Sequence, residues 1–433
     1  MDNRELDRDE RRRRRKRERE RQIRRQKLII FWTAAAVLTV VTVAGVTGAV
    51  KSRRAAQAAR VEAAQQQRQM EQQQMEQQLQ KEQEENTIHL LAVGDNLIHE
   101  HIYQSGQKEW NYDHLYEHVR DLVSSADLSV VNQECIFVED HEEISAYPSF
   151  GSPVEIGDAL VDAGFDVVLH ATNHAMDKGT KAIEETMAYW QEKHPEITVL
   201  GIHENQKEAE QIATVECKGV TFAMLNYTAQ VNGEDYDAFP DYLLDVLDME
   251  KVSADVKKAR QAGDMVIAFL HIGTEYADRP SQEVKDYLQL LLQAGVDIAI
   301  CSHPHILQNF ETLRDDQGHE MLVYYSLGNF ISTQKEPQCM LGGMADITIT
   351  KDPKSQELTI AQADLVPLVT HYNHDKEAYA VYPLEEYTEE LAAEHGIHEE
   401  TSDPFTLETL KQQYDDVLAQ DYHTLDETAD EEE

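Results

Sequence analysis

Cysteine is scarce in this chain: four residues in 433, with no C-x-x-C pair. That spacing excludes a thiolate zinc module. Cys135 and Cys301 sit beside polar motifs, and all four read as buried thiols in strands. Other signatures are missing too. There is no GxxxxGK[ST] phosphate loop, no GxSxG elbow and no HExxH helix, which removes three common routes to phosphoryl, acyl and peptide chemistry. Basic residues are heavily outnumbered in the body. Of 39 Lys and Arg, 14 fall within residues 1–27, leaving 25 basic against 74 acidic residues afterwards, a balance of -49. A surface that acidic does not bind nucleic acid.

What the N-terminus has instead is the layout of a membrane anchor. Leu28 to Val50 is an uncharged run of 23 residues containing Phe31, Trp32 and Val40 to Val43. It is long enough to cross a bilayer as a helix and longer than a secretion-signal core. The Arg-rich flank before it, against Lys51, Arg53 and Arg54 after it, keeps the N-terminus in the cytoplasm and puts the main domain outside. A cleaved signal would deliver the body to the same compartment but free it. Residues 51–86 follow as a Gln/Glu/Ala/Arg tract without Gly or Pro. It reads either as a helical stalk or as a solvated linker, and its apolar positions keep no heptad seam for a coiled coil.

From Thr87 the composition turns globular. Apolar runs suited to buried strands recur at Ile88–Val93, Leu128–Val131, Val167–Leu169, Thr198–Leu200, Thr221–Leu225, Met265–Leu270, Ile298–Cys301, Leu322–Tyr325, Ala345–Ile349 and Leu358–Ile360. Helical patterns lie between several of them, including Val154–Ala163, Thr180–Glu192, Lys251–Ala262 and Ser281–Ala294. The alternation predicts an α/β domain over residues 87–384. The crowding of strands late in that stretch predicts a second, more antiparallel sheet. Residues 385–433 read as an acidic tail, with one helix over Leu407–Leu418 and disorder from Asp426 to Glu433.

Six polar motifs punctuate the domain, most of them just after an apolar run: GDNLIH (from Gly94), NQE (from Asn132), TNHAMDKG (from Thr172), HIGTEY (from His271), SHPHILQ (from Ser302) and SLGNF (from Ser326). Strand C-terminal ends are where α/β proteins build sites, and imidazole and carboxylate bind first-row divalent metals. The shared placement predicts one metal-centred site assembled from many strand ends. His303 and His305 flank Pro304, and on an extended segment both rings would point the same way.

This set of motifs, in this order, resembles the CapA family of bacterial poly-γ-glutamate capsule proteins, which is similar to the calcineurin-like metallophosphoesterases. The resemblance covers about Thr87 to Pro383. It implies a sandwich of two β-sheets flanked by helices, with a divalent metal (Mn, Zn, Fe or Mg) at one sandwich edge. Carried over by motif, the metal ligands are Asp95, Glu134, Asn173, His271, His303 and His305. Glu134 stands where the metallophosphoesterases have a bridging Asp. His174, with Asp177 three residues on, matches a proton donor held by a carboxylate, and Glu275 a supporting acid. Asn132, Lys178, Arg279 and Asn329 are the candidate substrate contacts, the two cations for anions. The first motif departs from the pattern: Leu97 stands where the metallophosphoesterases place a His, and His99 lies two residues further on. The second lacks their Gly-Asp-x-x-Asp form. One metal, or a weakly held pair, is therefore expected. The partners implied are the membrane, an anionic surface polymer such as poly-γ-glutamate and other subunits of a capsule synthase. A non-catalytic scaffold and a phosphatase for an exported substrate are the rival roles.

Overall fold

The computed structural model describes residues 48–233, 239–375 and 378–422. The basic segment 1–27, nearly all of the expected anchor 28–50 and the end of the tail from Asp426 lie outside the described residues. Among those residues, no helix is long and apolar enough to cross a membrane. The chain divides into two units, residues 1–79 and 80–433. The Gln/Glu-rich tract at residues 51–86 is helical up to Glu85, within α1 (Gly48–Glu85). Its Met70 and Met75 stand exposed.

The second unit contains sixteen described strands. In chain order they are β1 (Thr87–Asn96), β2 (Leu128–Asn132), β3 (Phe137–Val138), β4 (Ser152–Pro153), β5 (Val167–Leu169), β6 (Thr198–Leu200), β7 (Ala213–Cys217) and β8 (Val220–Thr228), then β9 (Met265–His271), β10 (Ile298–Ser302), β11 (Leu307–Arg314), β12 (Glu320–Leu327), β13 (Asn329–Ile331), β14 (Leu341–Lys351), β15 (Leu358–Tyr372) and β16 (Tyr379–Pro383). One sheet runs β16-β15-β14-β1-β2-β5-β6, with β13 paired to β1, and the other runs β11-β12-β10-β9-β8-β7. Both are mixed. The late antiparallel strands do not form a sheet of their own, as the sequence pattern had suggested. β14 to β16 extend the first sheet beside β1, while β11 and β12 extend the second. Local pattern shows that a strand exists but not which edge it joins.

The two sheets share a core. Val130 and Ile347 from the first meet Met224, Ile267, Phe269 and Ile300 from the second. The alternate residues of β8 and β9, Ala223, Leu225, Val266 and Ala268, point the other way, onto the helices at Met249–Ala262 and Gln282–Ala294. Two-sided burial explains why these strands read as continuous apolar runs. Helices α2 (Glu155–Ala163), α3 (Gly179–Lys193), α4 (Met249–Ala262) and α5 (Gln282–Ala294) follow the expected apolar spacing. Their ends have local causes: Ser281 Oγ accepts from the Val284 amide at the start of α5, and Gly295 ends it at φ 95°. Truncating fully packed Leu288 or Leu291 to Ala would cost about 2–5 kcal/mol.

Residues 385–422 do not behave as a tail. Ile397, Phe405, Leu410, Val417 and Tyr422 are buried, and α6 (Leu407–Ala419) carries Tyr414, whose hydroxyl donates to the Leu365 carbonyl. The acidic residues between these anchors mask them in a composition count.

Candidate metal centre

Strand register brings the motif residues level. In the first sheet Asp95 pairs with Asn132 of β2 and with Asn329 of β13. In the second, His271, the last residue of β9, pairs with Ser302 of β10 and Thr228 of β8. Except for Asn329, which opens β13, these residues sit at strand C-terminal ends, and the two sheets bring them together. Gly94 makes this approach feasible: a Cβ there would lie 1.9 Å from the Gly328 carbonyl oxygen, whose partner is the Asp95 amide at 2.9 Å.

Asp95, Glu134, His271, His303 and His305 meet in three overlapping groups whose ligand atoms lie within 4.8 Å of one another. These are Glu134–His271–His303, Asp95–Glu134–His305 and Glu275–His303–His305. All are buried except Glu275, which reaches in from the exposed rim. Asn173 joins through its Oδ1, 2.9 Å from His271 Nε2. The same Nε2 lies 3.1 Å from His303 Nδ1 and 3.7 Å from Glu134 Oε1. His271 Nδ1 is held from behind by Ser302 Oγ at 3.0 Å, with the Asn132 amide at 3.3 Å. Asn132 also donates to Asp95 Oδ1 at 2.7 Å. Its neighbours are thus candidate ligands, and it is itself buried.

The His-P-His segment is not extended. His303 has φ 99° and His305 φ 60°, so the alternation expected of a strand does not apply. Both rings still reach the centre, because left-handed turns swing each one in. Such backbone costs about 1–3 kcal/mol per residue and persists where surrounding contacts hold it. Here the His303 amide donates to Asp95 Oδ2 at 3.2 Å.

The electrostatics divide the carboxylates. His305 Nδ1 lies 3.1 Å from Asp95 but His305 Nε2 lies 3.8 Å from Glu134, so Asp95 is the anion it pairs with. Burial works against the Asp95 charge, but the hydrogen bond and charge of His305, with His271 behind, hold its pKa down at about 2. Burial would likewise lower His305, and the acids Glu134 and Asp95 push it up to about 9. Burial lowers His303 to about 4 and drives His271 well below the usual imidazole range, which leaves both neutral. Burial raises Glu134 well above the usual carboxylate range.

Glu134 is also the orphan of the site. Both of its side-chain oxygens are buried and neither has a hydrogen-bond partner. A buried charge without a partner is costly. Two bare carboxylate oxygens facing the neutral imidazoles of His271 and His303 and ionised Asp95, with a His305 ring that would release its proton on ligation, make a donor set suited to a divalent first-row cation. The residues present therefore fit a metal.

The other expected residues take distinct places. His174 Nδ1 lies 2.6 Å from Asp177 Oδ2, and that oxygen also accepts from the Phe150 amide at 2.7 Å. Lys178 is half-buried beside Gly151. Asn329 is buried, and its amide ties His305 Nδ1 (3.0 Å) to Gln334 Oε1 (2.7 Å) and the Cys339 carbonyl. Arg279 is exposed beside Tyr422 and belongs to none of the three ligand groups. His99 turns its Nδ1 to the Leu97 carbonyl and the Thr333 amide. Three participants escaped the sequence analysis: Ser302, Gln230 and Asn232. Ser302 was visible as the residue before His303. Gln230 and Asn232 follow β8, but the apolar run there ended at Leu225 whereas the strand continues to Thr228, so they were not read as strand-end residues.

Comparison with known proteins adds a family. A family model described as bacterial capsule synthesis protein PGA_cap matches residues 89–334. A capsule biosynthesis protein CapA of Bacillus anthracis is 28% identical over 264 residues, covering 58% of this chain and 61% of that protein. A PGA biosynthesis protein CapA of Bacillus subtilis is 25% identical over 247 residues, covering 56% and 62%. The chain thus spans about three-fifths of the length of the curated relatives it matches. Among solved structures, a phosphatase of Mycoplasma pneumoniae aligns with TM-score 0.40 and 12% identity over 66% of this chain and 94% of that one. A 5′-nucleotidase of Candida albicans aligns with TM-score 0.35 and 11% identity over 77% and 58%.

Proposed function

The chain belongs to the bacterial capsule synthesis protein family, and from that premise we propose that it is a membrane-anchored, extracytoplasmic protein of surface-polymer biosynthesis whose strand-end cluster is a divalent metal centre of hydrolase type. Poly-γ-glutamate or a related polyanion is the proposed substrate, and other subunits of a membrane synthase are the proposed partners. The frame of two mixed sheets is read as the calcineurin-like metallophosphoesterase type. One observation supports the metal reading above the rest: bare-oxygened Glu134 is common to Glu134–His271–His303 and Asp95–Glu134–His305. Two ion positions sharing Glu134 would be served without the His that the first motif lacks.

A divalent ion held there supplies an acidified water and a Lewis acid. The chain's own groups do the rest. Ser302 Oγ and Asn132 hold His271 from its Nδ1 side, leaving Nε2 toward the centre. Asp177 fixes the proton of His174 on Nδ1, so that Nε2 is the atom free to give or take one. Lys178, beside that pair, is the proposed contact for a carboxylate of the polymer, and it offsets locally the repulsion between an acidic surface and a polyanion. Glu275 closes the solvent side of His303 and His305.

The test is His174→Ala, with surface polymer yield and chain length as the readout and thermal melting as the folding control. Catalysis predicts loss of polymer production or processing from a folded, membrane-localised variant. Normal polymer from a stable variant would sink the catalytic reading and leave a scaffold.

A further inference from the structure

One loop touches several of the candidate ligands and was not anticipated from any motif. It follows β8 and is stitched by its backbone to two separate motifs: the Ala229 amide donates to the His271 carbonyl at 2.9 Å, and the Asn232 amide to the Asn173 carbonyl at 2.8 Å. Its side chains then reach two ring nitrogens. Gln230 Nε2 lies 2.9 Å from His303 Nε2, and Asn232 Nδ2 lies 3.1 Å from His174 Nδ1.

His303 is therefore gripped at three points. Its backbone amide is on Asp95, its Nδ1 faces His271 Nε2 at 3.1 Å, and its Nε2 is on Gln230. The two ring nitrogens have unlike surroundings. Nδ1 looks into the ligand cluster, while Nε2 looks out at an exposed amide. A left-handed backbone at φ 99° gives the ring no strand geometry to lean on, so its orientation depends on these side-chain contacts.

We infer that Gln230 is a positioning residue that assigns His303 to the metal through Nδ1 by engaging Nε2 from outside. The chemistry sets the direction of that bond. An imidazole that gives its Nδ1 lone pair to a cation carries its proton on Nε2 and must donate it. The Gln230 amide then presents Oε1, the orientation opposite to the one with nitrogen nearest. The two orientations of an amide differ only in which end is called oxygen, so no backbone movement is required. Asn232 serves the same loop at the other motif. Because the loop joins the ends of β9 and the Asn173–His174 turn, it places the candidate ligand His303 and the candidate proton donor His174 in one frame.

The inference rests on the metal reading of the site, and the experiment separates the two. Zn2+ affinity of the full-length protein is measured by competition with a chromogenic chelator for wild type, Gln230→Leu and Gln230→Glu. The Co2+-loaded forms are examined for shifted, exchangeable imidazole N–H signals. Partners of ligating histidines are worth 10–100-fold in affinity. Gln230 is exposed, so the low end, about 10-fold weaker binding, is expected for Gln230→Leu, with one imidazole N–H losing its protection from water. Gln230→Glu keeps an acceptor and should restore both affinity and the protected signal. Equal Zn2+ affinity and unchanged signals in Gln230→Leu would overturn the inference while leaving the metal centre standing. So would equal losses in both variants, which would mean that packing and not the Nε2 bond matters. Wild type that binds neither ion would instead remove the metal reading itself.

Discussion

Glu134 offers the sharpest test of the site, because the same residue should act in opposite directions with and without metal. Take Glu134→Gln. In the metal-free protein the wild-type carboxyl is buried, has no partner for either oxygen and is pushed well above its usual pKa by burial, with the Asp95 charge adding to it. A buried polar group left unmade costs about 1–3 kcal/mol. The amide carries no charge, so metal-free Glu134→Gln should melt at or above metal-free wild type. With metal the order reverses. At a free metal concentration of about 1,000 times Kd, binding stabilises the folded protein by about 4 kcal/mol, and at about 2–4 °C per kcal/mol in a large domain the melting point rises by roughly 8–16 °C. Losing the residue common to both buried ligand groups should weaken binding by at least about 100-fold, at the upper end of what outer partners alone are worth. At the same metal concentration the stabilisation then falls to about 1.4 kcal/mol, a rise of roughly 3–6 °C. Scanning calorimetry of both proteins, with and without Mn2+ or Zn2+, reads all four values. Equal metal-induced shifts would refute the assignment of Glu134 as a shared ligand. A metal-free variant melting well below wild type would show that the carboxyl is structural instead.

Gly94→Ala places a methyl 1.9 Å from the Gly328 carbonyl. Overpacking there should cost about 1–3 kcal/mol and weaken metal binding, because Asp95 and Asn329 flank the contact; an unchanged melting point and affinity would contradict the described β1–β13 pairing. Buried His170 accepts from the Trp190 indole at 3.0 Å and burial lowers it to about 3. A depressed imidazole makes the unfolded chain bind protons first, so its contribution is complete above pH 6.5 and is lost as pH falls toward 3. Between pH 7 and 5 wild type should lose about 2 kcal/mol more than His170→Gln, read from urea titrations; parallel pH profiles would refute this. Protease added to intact cells should remove the main domain and spare residues 1–27 if the chain is a single-pass, N-in membrane protein, and a protected C-terminal domain would end that topology.

Much of the frame is legible in the primary structure because its cause is local. Val167–Leu169 and Thr198–Leu200 are bounded correctly by apolar runs alone, and α4 and α5 to within two residues by apolar spacing. A strand buried on both faces has to be continuously apolar, and a helix on a sheet has to repeat at 3.6 residues. The polar residues closing those strands are equally visible, which is why Asp95, Asn132 and His271 stand out before any coordinates are known. Strand order is different. β14 to β16 join β1, and β11 with β12 joins β10, because pairing is settled by which edges remain open after the rest has packed. The buried residues of 385–422 were hidden by their acidic neighbours for a related reason: burial follows from a facing surface that only the assembled sheets provide.

The site divides the same way. Residue type and placement after strands singled out most of the candidate ligand set. Tertiary structure alone decided that the His303 and His305 rings converge through left-handed turns and not through an extended strand, and that Arg279 stands beside Tyr422. It alone left Glu134 without a partner and drew Gln230 onto His303. The site's hydrogen bonds join residues up to 208 positions apart, as from His303 to Asp95, and distances across that much chain are fixed by the packing of two sheets and by no pattern a local reading contains.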